Sequence, residues 1–163
     1  MIRDATVRDF PRILALNGTE VHATSKMDLA RLNFLDQLTR STGYHRVAIV
    51  DDQVAAFMFA MRAGVQYINP NFSWFSERFD NFIYIDRIVV DARWAGRKIG
   101  SALYRDLFDF ARTAAISHVV CEYNVVPPNP VSQAFHAKWG FREMDTQWLD
   151  DGAKRVSLQV AQI

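Results

Sequence analysis

The stretch from Phe82 to Ala115 constrains the fold more than any other part of the sequence. Phe82 to Val90 is a long β-forming run, Asp91 to Gly96 reads as a loop, and Lys98 to Ala115 is the clearest helix in the chain. Ile99, Leu103, Leu107 and Phe110 recur there at helical spacing, which gives the helix one apolar stripe to bury. His118 to Tyr123 then reads as another strand. A long helix between two such strands must cross over from one to its neighbour, which requires an α/β chain with a mixed sheet.

The other elements are consistent with this. Ile2 to Val7 reads as a short first strand, and Asp9 can cap a helix from about Phe10 to Asn17 with Pro11 in its first turn. Asp28 can start a second helix, with Leu29, Leu32, Leu35 and Leu38 along one stripe, and Ser41-Thr42-Gly43 stops it. His45 to Val50 and Gln53 to Arg62 form a hairpin around Asp51-Asp52. The second of these strands is almost continuously apolar, as expected of a central strand. Gly64 to Asp80 reads as irregular and aromatic-rich, with a turn signal at Asn69-Pro70-Asn71. Pro127-Pro128-Asn129-Pro130 opens a short helix, Val131 to Trp139, which Gly140 caps. Phe141 to Leu149 and Lys154 to Val160 close the chain as an antiparallel pair. The expected fold is a mixed, mostly antiparallel twisted sheet of about seven strands with four main helices, in a single domain spanning 1–163.

Half of the 163 residues are hydrophobic, which suits one packed core and excludes a disordered chain. The formal net charge of +1 excludes nucleic-acid binding by bulk electrostatics, so no nucleic-acid partner is expected. No apolar run approaches the roughly 20 residues of a membrane helix. With the single cysteine Cys121 and no apolar signal core at the N-terminus, the sequence reads as cytoplasmic.

The chemistry is concentrated where the strand enters the helix, at Val90-Asp91-Ala92-Arg93-Trp94-Ala95-Gly96-Arg97-Lys98-Ile99-Gly100-Ser101. The first turn of a helix has backbone N–H groups without intrahelical acceptors, and the helix dipole adds partial positive charge there. Gly96 and Gly100 allow a phosphate close to the backbone, and Arg93, Arg97 and Lys98 place three cations in six residues beside it. The bland alternative is an ordinary strand-to-helix turn with a solvated basic face.

Arg93-x-x-Gly96-x-Lys98-Ile99-Gly100 resembles motif A of the GNAT acetyltransferase superfamily. Asn129-x-x-Ser132-x-x-x-His136-x-Lys138-x-Gly140-Phe141 resembles its motif B. The two motifs occur in the family's order within the family's element order, and the segments around Asp86 and Glu122 look most like uncharacterised bacterial members. The resemblance implies an N-acetyltransferase that uses acetyl-coenzyme A as cosubstrate and no metal. It implies that the Ile88, Val89 and Val90 strand pairs with the pantetheine arm. Arg93, Ala95, Gly96 and the amides of Arg97, Lys98, Ile99, Gly100 and Ser101 would hold the pyrophosphate. Asn129, Ser132 and His136 would line the pantetheine region. The thioester would lie where the Ile88 and Cys121 strands splay apart. Two positions depart from the family pattern: Lys98 stands where Gly or Ala is usual, and His136 stands where many members have the tyrosine that protonates the leaving thiolate. Imidazolium can do the same, or the role passes to Tyr123 or water.

Direct attack by an amine requires a base, a donor to the thioester carbonyl (a backbone N–H near Val89 or Val90), and an acid for the thiolate. Asp86 and Glu122 are the candidate bases and His136 the candidate acid. For either acid the alternative is a structural pair with a cation, Arg87 or another, or a hydrogen-bonded buried acid; a base acting through water would fit either. Cys121 reads as a small core residue. His22, His45, His118 and His136 lack ligand spacing, so no metal site is expected. The aromatic loop Tyr67 to Phe79, with Asn17 to Met27, is expected to cover the acceptor pocket, or else to form a flap or dimer surface. That enclosure favours a small-molecule amine or amino acid as partner, with homodimerisation a family habit. Alternatives are a protein N-terminus or lysine as acceptor, a non-catalytic coenzyme A sensor, and a toxin acting on charged transfer RNA, which the near-zero net charge disfavours.

Overall fold

The structure, a computed structural model, describes residues 1–20 and 24–163. His22 and part of the Asn17 to Met27 stretch lie outside the described residues. Seven strands, β1 (Ile2–Asp4), β2 (Tyr44–Val50), β3 (Gln53–Arg62), β4 (Phe82–Val90), β5 (His118–Val126), β6 (Arg142–Leu149) and β7 (Lys154–Gln162), form one sheet. Their order is β1-β2-β3-β4-β5-β7-β6, and every neighbouring pair is antiparallel except β4 with β5. The helices are α1 (Phe10–Thr19), α2 (Leu29–Thr39), α3 (Pro70–Ser76), α4 (Ile99–Thr113) and α5 (Pro130–Lys138). The helix α4 is the crossover that lets β4 and β5 run parallel.

Each face of the sheet buries its own core. On one face Leu103, Tyr104, Leu107, Phe108 and Ala111 of α4 pack over Met58, Ala60, Ile83 and Cys121. On the other, Phe10, Ile13 and Leu16 of α1, Leu32 and Leu35 of α2, and Phe72 and Phe75 of α3 cover Phe57, Phe59, Phe82 and Tyr84. All β3 side chains from Val54 to Met61 are buried, and from Ala56 on they alternate between the two cores; Ala55 and Ala56 share one core because the register against β2 shifts there. This is the physical reason the β3 sequence is apolar without interruption.

Several boundaries differ from the sequence reading. There are five helices rather than four, because Asn69-Pro70 starts a helix instead of a loop turn. The Asn69 side chain accepts from the amides of Asn71 and Phe72 at 2.9 and 3.0 Å, and Pro70 occupies the first helical position. The strand β1 ends at Asp4, short of Val7, because Asp9 takes hydrogen bonds from the Thr6 amide and hydroxyl and turns Val7–Asp9 into a 3-10 turn ahead of α1. The helix α4 starts one residue late because Lys98 has φ +58°, and it ends before Ala115, at φ +53°. Among the described residues, no helix is long and apolar enough to cross a membrane.

Candidate active site

The strands β4 and β5 pair over only three positions, Phe82 with His118, Ile83 with Val119 and Tyr84 with Val120. From Ile85 on, β4 pairs only with β3, and from Cys121 on, β5 pairs only with β7. The gap between them has hydrogen-bonding backbone on its β4 side. Asp91 N–H donates to Ala55 C=O at 2.8 Å on the β3 side. The alternation of an antiparallel ladder therefore directs the Val89 amide at β3 and turns the Ile88 and Val90 amides outward, into the gap. Of the residues expected to offer a backbone donor, Ile88 and Val90 are free to do so and Val89 is not; its side chain is core.

The gap leads to the start of α4. The first helical hydrogen bond runs from Ala102 N–H to Lys98 C=O at 2.9 Å, and the amides of Lys98, Ile99, Gly100 and Ser101 have no acceptor among the described residues. The left-handed conformation of Lys98 and Gly96, at φ +58° and +79°, folds the loop so that these amides open to solvent together. Arg97 and Lys98 are exposed, and Ile99 is buried as the anchor of the turn. Arg93 is directed elsewhere. Its guanidinium binds Asp91 at 2.8 and 3.0 Å and lies over the Trp94 ring, so it braces the loop. Arg12 joins the same carboxylate, and the Arg93 hydrogen bonds hold the Asp91 carboxyl down at about 2. A cluster of unpartnered amides flanked by two free cations fits a diphosphate.

Two clefts meet at Glu122. The first, of about 250 Å³, is lined by Ile88, Cys121, Tyr123, Asn129, Ser132 and His136 among others, and the second, of about 420 Å³, by Arg31, Tyr67, Asn69, Leu149, Asp150 and Lys154 among others. Asn71, Asp86, Arg87, Glu122 and Lys154 border both. Glu122 Oε1 accepts from the Tyr84 hydroxyl at 2.9 Å, and its buried Oε2 has no partner among the described residues. Burial pushes this carboxyl up to about 8; the Tyr84 hydrogen bond opposes the shift, the charge of Asp86 adds to it, and the nearby Asn71 side chain and the charge of Lys154 oppose it more weakly.

Asp86 sits where β4 slips register against β3, with Phe59 opposite Arg87 and Ala60 opposite Ile85. Sequence neighbours on a regular strand point to opposite faces, but at this bulge Asp86 and Arg87 reach each other at 2.7 Å, both nearly enclosed. The other Asp86 oxygen accepts from the Tyr67 hydroxyl. Each oxygen of Asp86 is thus engaged, as in the structural-pair alternative, whereas Glu122 keeps a vacant one.

His136 is buried on α5. Its Nδ1 lies 2.7 Å from Ser132 C=O, which can only accept, so Nδ1 bears the proton. Nε2, at 2.9 Å from the Tyr104 hydroxyl, is then the acceptor. Burial pulls its pKa below the ordinary histidine value, so the ring is neutral near pH 7 and ties α5 to α4. Tyr123, tilted beside it at 5.5 Å between ring centroids, lines the same cleft. The Tyr123 oxygen accepts from Gln159 Nε2 at 3.2 Å, and its own hydrogen has no acceptor among the described residues. Asn129, which lines this cleft, caps α5 by accepting from Ser132 N–H at 3.1 Å, and its amide nitrogen has no partner among the described residues. Cys121 is a buried thiol whose pKa is pushed up by burial.

The sequence reading missed Tyr84, Arg31, Asn71 and Lys154. Tyr84 and Glu122 are 38 residues apart, and Arg31 lies on a helix far from either motif. Local spacing cannot report such contacts.

The family model for the acetyltransferase (GNAT) family matches residues 2–141. No curated protein sequence matches the chain. Among solved structures, the ribosomal-protein-alanine N-acetyltransferase from Brucella melitensis superposes with a TM-score of 0.78 at 22% identity, covering 100% of this chain and 99% of that one. Ard1 from Thermoplasma volcanium gives 0.78 at 16% identity, covering 100% and 97%. The N-acetyltransferase from Staphylococcus aureus Mu50 gives 0.75 at 20%, covering 99% and 97%.

Proposed function

Because the chain belongs to the acetyltransferase (GNAT) family, whose reaction is acetyl transfer from acetyl-coenzyme A, we propose that it acetylates the amine of a small molecule, with Glu122 as the base. One observation carries this reading: a buried carboxyl with a vacant oxygen stands where two clefts join, one bordered by the open edge of β4 and the other closed by the Tyr67–Asn71 and Leu149–Lys154 segments. The second cleft has the volume of a small ligand.

The roles follow from the geometry. The Lys98 to Ser101 amides hold the pyrophosphate of coenzyme A, helped by Arg97 and Lys98. The Ile88 and Val90 amides and carbonyls pair with the pantetheine arm and leave one N–H to polarise the acyl carbonyl. When bound, acetyl-coenzyme A supplies an activated acyl group. Glu122 Oε2 accepts the proton of the incoming ammonium, directly or through one water, and a carboxylate poised at about 8 is well matched to that task. Tyr123 O–H gives its proton to the departing sulfur. We assign the acid role to Tyr123 because both ring nitrogens of His136 are already engaged.

The test is release of free thiol from acetyl-coenzyme A in the presence of an amine panel. Turnover should rise with pH through about 8 as Glu122 loses its proton. Glu122→Gln should lose about a hundred- to ten-thousand-fold in kcat with coenzyme A affinity retained. Unchanged kcat in that variant would rule out Glu122 as the base. Faster turnover of peptide N-termini than of any free amine would rule out the small-molecule acceptor.

A further inference from the structure

We propose that the acceptor carries a carboxylate as well as its amine, and that Arg31 and Lys154 bind that carboxylate in the cleft beyond Glu122. This inference rests on the acetyl-transfer reading above and deepens it, from an amine to an amino acid.

The charges that line the second cleft balance in number but not in pairing. Its cations are Arg31, Arg87 and Lys154, and its acids are Asp86, Glu122 and Asp150. Arg87 is fully engaged: its guanidinium binds Asp86 at 2.7 Å, Asn17 Oδ1 at 2.9 Å, Ser25 C=O at 3.1 Å and Ser25 Oγ at 3.0 Å. Asp86 is likewise engaged by Arg87 and Tyr67. Asp150 is exposed on the turn before β7. Arg31 and Lys154 remain. Neither forms an ion pair among the described residues.

Arg31 is also held in place. Its guanidinium donates to the Tyr67 hydroxyl at 3.2 Å and lies over the Phe34 and Tyr67 rings at 5.2 and 5.4 Å. Stacking on aromatic faces while leaving donors free is how arginine presents its planar fork to a carboxylate. A simple alkylammonium entering this cleft would meet two cations that have no ion-pair partner among the described residues. A zwitterion places its carboxylate on them and its ammonium at Glu122. The neutral Glu122 expected near pH 7 does not repel the incoming anion.

The experiment compares α-, β- and γ-amino acids with the alkylamines that lack the carboxylate, by thiol release from acetyl-coenzyme A. At least one amino acid should exceed its paired amine in kcat/KM by about 10- to 100-fold, the worth of a charge-assisted hydrogen bond. Arg31→Met, which keeps the stem on its aromatic neighbours, and Lys154→Gln should each reduce that preference ratio by about tenfold or more. Melting curves and coenzyme A calorimetry on each variant show that fold and cosubstrate binding persist. Preference for amines without a carboxylate, or variants that leave the ratio unchanged, would overturn the inference while acetyl transfer stands. Bound acetyl-coenzyme A with no turnover of any panel member would overturn it as well. A chain that gives no heat with acetyl-coenzyme A would overturn both readings.

Discussion

At the residue scale the site turns on Glu122, and its environment makes two measurable predictions. The Tyr84 hydroxyl is the stronger of the two hydrogen-bonding groups, with Asn71, that hold the Glu122 carboxyl down against burial. In Tyr84→Phe the ring stays in its wholly buried place and only the donor goes, so the pH at which kcat/KM rises should move further alkaline, by about one unit. A profile that stays put would mean that another group controls the rise. The same carboxyl also leaves a signature in stability. Between its ordinary 4.5 and about 8 the folded chain retains the Glu122 proton while the unfolded chain releases it. Folding stability from this group therefore declines as pH rises through that window and levels off above it. Relative to the native chain, Glu122→Gln should melt higher at pH 9 than at pH 5, by several degrees; an equal difference at both values would place the carboxyl in a solvated setting. Asp86 and Glu122 could not be ranked from the sequence, where both are acids in apolar strands. The bulge that swings Asp86 onto Arg87 separates them, and a bulge has no reliable mark in a single sequence.

At the element scale, the proposed cosubstrate site is formed jointly by the start of α4 and the open edge of β4. Gly100 tests this directly. A methyl added there would meet only Val90 Cγ2, at 3.8 Å, an ordinary contact, so the fold itself does not demand glycine. Alanine also has the higher helix propensity, and Gly100→Ala should be as stable as the native chain or more stable by up to about 1 kcal/mol. The same methyl crowds the approach to the free amides and should weaken coenzyme A by about tenfold, as read by calorimetry. Affinity retained in the stabilised variant would remove the close approach from the argument. The strand–loop–helix unit was fully legible in the sequence because its signals are local: a β-forming run, a glycine-bearing turn and an amphipathic period. The seven-residue α3 was not, because the same Asn-Pro pair serves a loop turn or a helix cap, and packing of Phe72 and Phe75 onto Phe82 and Tyr84 selects the cap.

At the scale of the whole molecule, the sheet is interrupted where it functions. Among the described residues, the β4–β5 ladder that joins the β1–β4 half of the sheet to the β5–β7 half has three residue pairs. The two cores nevertheless cross this line: Val119, Cys121 and Phe141 pack with Met58 and Ile83 on one face, and Val120, Val156 and Leu158 join the Phe57 cluster on the other. Unfolding should therefore be one cooperative transition, with tryptophan fluorescence and far-ultraviolet circular dichroism giving coincident melts. Separate midpoints would show that the halves hold together only when the cosubstrate bridges them. The crossover, the apolar central strand and the glycine-bearing strand–loop–helix unit were all determined by the sequence, since each depends on residues within a few turns of one another. The tertiary structure decided which carboxyl keeps a vacant oxygen, which His136 nitrogen bears the proton, and that Arg31 and Lys154 line one cleft. Those outcomes depend on burial and on partners tens of residues away, and desolvation is a property of the assembled fold that no stretch of sequence possesses alone.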